Sequence, residues 1–259
     1  MSNRAWVESV SASFRARHNS ADADDAHTVL LSLERARDQL GQVFPHAPEG
    51  ITVVLHGGPA GLALTNPLLP VTWMLTAPAA RRYVAGWAGR EDLHVLSPAA
   101  LQARAANVSG SREMLQRTAA CLYARRVIAE NNPDLARVAG PIRTQRALRW
   151  AWLLEGSARW FGGQTEHARP AIARRLREGG RPSFPPRLRD APLLGGTVID
   201  LLVARSGERA AARFCCRLHP QGPRAALTRA FGGEGGWDFV HIEGAWRTHL
   251  ARLAGAADA

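Results

Sequence analysis

At 259 residues the chain can bury a full core, as one large domain or two packed lobes. Hydrophobic residues make up 46% and charged residues 21%, which excludes a disordered or low-complexity chain. The net charge is +11 and all 33 basic residues are arginine, but they are scattered rather than massed and few aromatics alternate with them, which argues against a nucleic-acid surface.

Three cysteines, two of them the adjacent Cys215 and Cys216, do not form a disulfide framework. The opening residues Met1-Ser-Asn-Arg-Ala-Trp lack the apolar core of a signal peptide, so a cytoplasmic location is the expectation.

In chain order, Val10 to Arg17 alternates apolar and polar residues, the pattern of a half-buried strand. Asp22 to Asp25 suit a helix N-terminus, and Ala26, Leu30, Leu33, Leu40 and Val43 then recur at helical spacing until Pro45 and Pro48. Ile51 to His56 reads as a buried strand closed by Gly57-Gly58. Residues 57–80 carry no charge, but Asn66, Pro67, Pro70 and Pro78 interrupt them, which predicts a buried strand and loop rather than a membrane span. Leu93 to Leu96 is a second short strand, and Ser97-Pro98 opens a helix with a cap and a first-turn proline. His56 and His94 each sit in a strand with no second histidine at a useful spacing, so they read as core or edge residues.

A central helix starts at Ser109-Gly-Ser111 with Met114, Leu115, Ala119, Leu122 and Val127 on its apolar side, and Pro133 stops it. A loop to Arg149 precedes a helix from Trp150 to Gly163, whose Trp150, Trp152, Trp160 and Phe161 read as core. A proline-rich connector spans Gly179 to Pro192. Helices follow over Val198–Ala204, Ala210–Leu218 and Ala225–Phe231, the last ended by Gly232-Gly233, and a closing helix places Trp246, Leu250 and Leu253 on one face.

The order of these elements resembles the peptidase MA-like group of the gluzincin metallopeptidases over nearly the whole chain. The nearest single motif is Trp152-Leu-Leu-Glu155-Gly156-Ser-Ala158, similar to the segment that carries that family's third zinc ligand. Leu33 to Leu40, the two strands, Arg205-Ser-Gly207, Phe231-Gly232 and Trp246-Arg-x-x-Leu250 follow in the family's order. The resemblance implies an α+β, zincin-like fold: an N-terminal mixed sheet with helices over residues 1–110, a helical lobe over 111–259, and a cleft between them.

The chemistry of that family is missing. Two zinc ligands and the general base come from His-Glu-x-x-His, whose spacing puts both imidazoles on one helix face. No such motif occurs here; the corresponding stretch is Cys121-Leu122-Tyr123-Ala124-Arg125. By the resemblance, Cys121 and Arg125 replace the histidines, Leu122 replaces the base, and Glu155 alone remains. A Cys and a Glu fall short of the three protein ligands of a catalytic zinc, Leu122 cannot take a proton from water, and Arg125 repels a dication. Elsewhere His94, His167, His241 and His249 do not repeat at i and i+4.

The expectation is therefore a catalytically inactive pseudopeptidase with a binding or regulatory role, no cofactor, and a protein or peptide partner at the vestigial cleft. The alternatives are a zinc-dependent hydrolase with atypical ligands, Glu155 and Cys121 among them, or a basic module for nucleic acid or a membrane surface. A carboxylate left without zinc needs a counter-charge. The resemblance implies that the second-histidine position faces the third-ligand carboxylate, so Arg125 is the expected ion-pair partner of Glu155, with Arg126 turned about 100° away along the helix.

Overall fold

A computed structural model describes residues 5–136, 140–232 and 236–255, with residues 136 and 140–144 described by backbone alone. The opening residues 1–4 and Gly233 lie outside the described residues.

The fold is α+β. Strands β1 (Trp6–Val10) and β2 (Phe14–Asn19) form an antiparallel hairpin, and α1 (Ala23–Gly41) follows. Strand β3 (Ile51–His56) runs parallel to β2. Three short helices come next: α2 (Pro59–Thr65), α3 (Leu69–Leu75) and α4 (Pro78–Arg81). Strand β4 (Gly86–Ala88) pairs antiparallel with β5 (Asp92–Leu96), which is parallel to β3, so the sheet order is β1-β2-β3-β5-β4 with β4 at one edge.

Helices make up the rest: α5 (Pro98–Arg104), α6 (Ser111–Gln116), α7 (Thr118–Asn131), α8 (Pro133–Ala136), α9 (Gly140–Arg149) and α10 (Ala151–Phe161). They continue with α11 (Arg169–Arg177), α12 (Ala191–Ser206), α13 (Glu208–Cys215), α14 (Pro223–Phe231) and α15 (Phe239–Gly255). Among the described residues no helix is long and apolar enough to cross a membrane.

One apolar core runs from the sheet into the helices. Phe14 on β2 meets the Tyr123 ring of α7 edge-on, with centroids 5.1 Å apart, and the Tyr123 hydroxyl donates to Pro48 O at 3.0 Å. Helix α7 thus lies buried between α1, the sheet and α10. On its other side α10 crosses α12 through two glycines. A Cβ on Gly156 would run into the Gly195 backbone, and one on Gly195 would sit 2.5 Å from Trp152 O. The glycine of the Glu-Gly motif therefore has a packing role: it lets two helix backbones touch.

Four expectations are corrected. The alternation from Val10 to Arg17 spans a hairpin turn, not one strand. Ser11 Oγ and Ser13 N both donate to Glu34 Oε1 of α1, at 2.6 and 2.7 Å, and this bends the chain. Residues 57–80 form helices α2 to α4, not a buried strand and loop. Pro59, Pro70 and Pro78 each fall in a first helical turn, where the missing N–H costs nothing. The central helix breaks at Arg117, whose ψ of 0° ends α6, while the Thr118 hydroxyl takes Leu115 O at 2.6 Å. Pro133 opens a helix instead of a loop: Asn132 Oδ1 accepts from Asp134 N at 3.1 Å as a cap, and α9 follows. The short edge strand β4 and helix α11 carry too few periodic residues to be read from sequence.

Trp150 and Trp152 are buried as expected, whereas Trp160 and Phe161 are half-buried. Cys121, Cys215 and Cys216 are free thiols.

Candidate functional site

A cleft of about 300 Å³ lies between the edge strand β4, helix α7 and helix α10, and Cys121, Leu122, Arg125 and Glu155 all line it. The structure thus brings together all four residues singled out in the sequence. Helices α7 and α10 run in opposite directions, since Cys121 meets Gly162 while Arg125 meets Glu155.

The Arg125 guanidinium donates from one nitrogen to Glu155 Oε1, forming the expected ion pair. The pair is partly wet, with side chains 44% and 23% exposed for Arg125 and Glu155. Arg126 turns away and pairs with Glu130 one helical turn on, at 2.8 Å.

Cys121 and Leu122 are both buried. Burial pushes the Cys121 thiol up to about 12, and the positive charge of Arg159 only partly offsets it. A thiol held neutral in this way is neither a nucleophile nor a ready metal ligand. Leu122 packs against Gly86 of β4, where a Cβ would fall 2.7 Å from its methyl. Leu122 thus gives this wall of the cleft an apolar contact.

Zinc does not fit these donors. Only Glu155 is an ordinary ligand, and its carboxylate is engaged by a guanidinium. Among the described residues no group of three or more His, Cys, Asp or Glu could hold a metal.

A fifth residue, unread from the sequence, completes the site. Arg159 lies one turn beyond Glu155 on α10 and is only 8% exposed. It donates to Gln164 Oε1 and, at 3.3 Å from each of two nitrogens, to Tyr83 O. Among the described residues its Nε has no hydrogen-bond partner. Gln164 is itself held by donating to Met114 O at 2.6 Å. Burial lowers the Arg159 pKa, while the Glu155 charge acts the other way. A guanidinium nonetheless keeps its proton. Glu155 is therefore paired with Arg125, and its charge also acts on buried Arg159. The spacing Glu155-x-x-x-Arg159 was the available signal, because i and i+4 share a helix face.

Outside the cleft, two further networks join histidines to carboxylates. His56 Nε2 and His94 Nδ1 are 3.0 Å apart, and His94 Nε2 is 3.0 Å from Asp92 Oδ2. Trp87 stacks on His94 at 4.3 Å. The two histidines were read separately; parallel pairing of β3 with β5 brings them together, which sequence spacing cannot show. Burial, reinforced by His94, lowers His56 to about 4. In the second network, Asp200 Oδ2 meets His249 Nε2 at 2.9 Å and Asp200 Oδ1 accepts from Trp160 Nε1 at 3.0 Å, stitching α10, α12 and α15. Burial raises the Asp200 carboxyl, but these two hydrogen bonds together with the His249 and Arg252 charges outweigh it and hold it below the ordinary range. His167 and His241 pair with the local carboxylates Glu166 and Asp238.

No protein-family model matches the chain, and no curated protein matches it.

Proposed function

We propose that this chain is a zincin-fold protein of the peptidase MA-like group whose metal site has been replaced by an ion pair, and whose cleft binds a protein or peptide without cleaving it. The observation that supports this reading is the Arg125–Glu155 pair. The two residues that the resemblance puts at a second-histidine position and at the third-ligand position meet in one cleft. A cation and an anion there satisfy each other, and no vacant ligand set remains for a metal.

The cleft wall includes Leu122, Leu148 and Leu154, while the charged groups on its lining are Arg125, Arg159 and Glu155. Two guanidiniums against one carboxylate favour a ligand with an apolar body and an acidic group. Purified protein should carry well under one zinc per chain after dialysis and show no chelator-sensitive peptidase activity. Stoichiometric zinc together with chelator-sensitive proteolysis would overturn the proposal.

A further inference from the structure

Helices α2 and α3 present an apolar crest that none of the described residues covers. Leu64 is 86% exposed, Leu68 70%, Met74 69% and Leu75 53%, with Val71 beside them. Leu68, Val71 and Leu75 recur at i, i+3 and i+7, so they share one outward face of α3. Leu69 and Trp73 take the inward face, where Leu69 is buried and Trp73 Nε1 donates to Val84 O at 2.8 Å. Helix α3 is thus apolar on both faces, one buried and one exposed. A contiguous exposed patch of this kind marks a surface that meets a protein, a ligand or a membrane.

The base of the crest is cationic. Arg81, next to the end of α3, donates to Met74 O and Thr76 O at 3.5 and 3.4 Å. Arg82 donates to Arg104 O at 3.1 Å, and Arg104 donates to Arg82 O at 2.6 Å and to Arg81 O at 3.0 Å. The Arg104 guanidinium also stands 5.5 Å over the Trp73 ring. Among the described residues none of these three arginines forms an ion pair with a carboxylate. Three arginines without counter-charge therefore rim a crest whose sequence, 57–80, contains no charged residue.

We propose that this face seats the protein on an anionic phospholipid surface, with the α2–α3 leucines and Met74 entering the acyl boundary and Arg81, Arg82 and Arg104 meeting lipid phosphates. Charge complementarity selects the anionic headgroup. Shape selects the bilayer over a peptide: side chains exposed by more than two-thirds stand on a ridge, and a peptide needs a groove to be enclosed. Segments that lie in the membrane interface bury apolar side chains at the acyl boundary while nearby basic residues meet the headgroups. Leu69 and Thr72 of α3, with Asn66 just before it, also line the cleft, so the crest and the cleft share α3.

Flotation with vesicles of phosphatidylcholine alone, and of equal parts phosphatidylcholine and phosphatidylglycerol, tests this. The wild-type chain should float with the anionic vesicles and not with the neutral ones, and release should grow with salt. The triple variant Leu64→Ser, Leu68→Ser, Met74→Ser changes only exposed side chains and should melt as the wild type does. Its affinity for the anionic vesicles should fall at least about tenfold, because three apolar groups no longer leave water. Arg81→Gln should weaken binding less and flatten the salt dependence. A wild-type chain that ignores anionic vesicles overturns the proposal. So does a triple variant that binds them as well as the wild type, since net charge alone would then explain the binding. A crest that instead drives a concentration-dependent dimer, lost in the triple variant while vesicles are ignored, would assign it to a second copy of the chain.

Discussion

Removing Glu155 should cost more than removing Arg125, although the two form one ion pair. The structure sets the magnitudes. Arg125 is nearly half exposed and donates from one nitrogen only, so Arg125→Met loses a partly screened contact worth under about 1 kcal/mol. Glu155→Gln loses that contact too, and it also removes the carboxylate charge that acts on buried Arg159. Arg159 keeps its hydrogen bonds to Tyr83 O and Gln164 but is left an uncompensated cation, so the substitution should cost about 1–3 kcal/mol. In the double variant, Glu155→Gln with Arg125→Met, the cost should fall below the sum of the single costs by the coupling energy of the pair. Urea unfolding at low and high salt measures all three chains; salt should shrink the Arg125 effect and leave most of the Glu155 effect. Equal costs for the two single variants, or strict additivity, would refute this account of the site.

Two further outcomes follow from buried groups. Arg175 and Asp190 form a two-pronged ion pair, Nε to Oδ1 at 2.5 Å and Nη2 to Oδ2 at 3.0 Å, with side chains 3% and 7% exposed. Asp190→Asn should therefore cost about 3–5 kcal/mol in urea unfolding, far above either cleft variant, and a cost near zero would contradict the burial. His56, lowered to about 4, resists protonation in the fold, while the unfolded chain takes a proton near 6.5. Its contribution is complete above about 6.5 and is lost as pH falls toward about 4, by at most about 3 kcal/mol. His56→Gln keeps a donor for His94 Nδ1 and should flatten unfolding free energy against pH in that window; an unchanged slope would assign the acid sensitivity elsewhere, His94 and Asp92 being the titratable groups linked to it.

Much of the framework was legible because it obeys a period. Strand Ile51–His56 and the Ser97 cap of α5, whose Oγ accepts from Ala100 N at 3.4 Å, follow from apolar runs and cap chemistry. Arg125 and Glu155 were expected as a pair only through the resemblance, which puts them at facing ligand positions; helical spacing served to choose Arg125 over Arg126. Arg159 was missed although helical spacing puts it on the Glu155 face, because a lone arginine in a chain of 33 basic residues carries no local contrast. The His56–His94–Asp92 chain depends on strand pairing and was out of reach. Residues 57–80 misled for a physical reason: absence of charge signals burial in most chains, whereas here it marks helices whose leucines face outward.

The central claim is that Arg125 and Cys121 stand at vanished zinc-ligand positions facing Glu155. Cys121→His with Arg125→His rebuilds a His, His, Glu set on α7 and α10, and isothermal titration with zinc reads it directly. The account predicts one tightly bound zinc per chain and a melting temperature that rises with added zinc, because a ligand held only by the fold stabilises it. A double variant that folds as the wild type does and takes up zinc no better would contradict it.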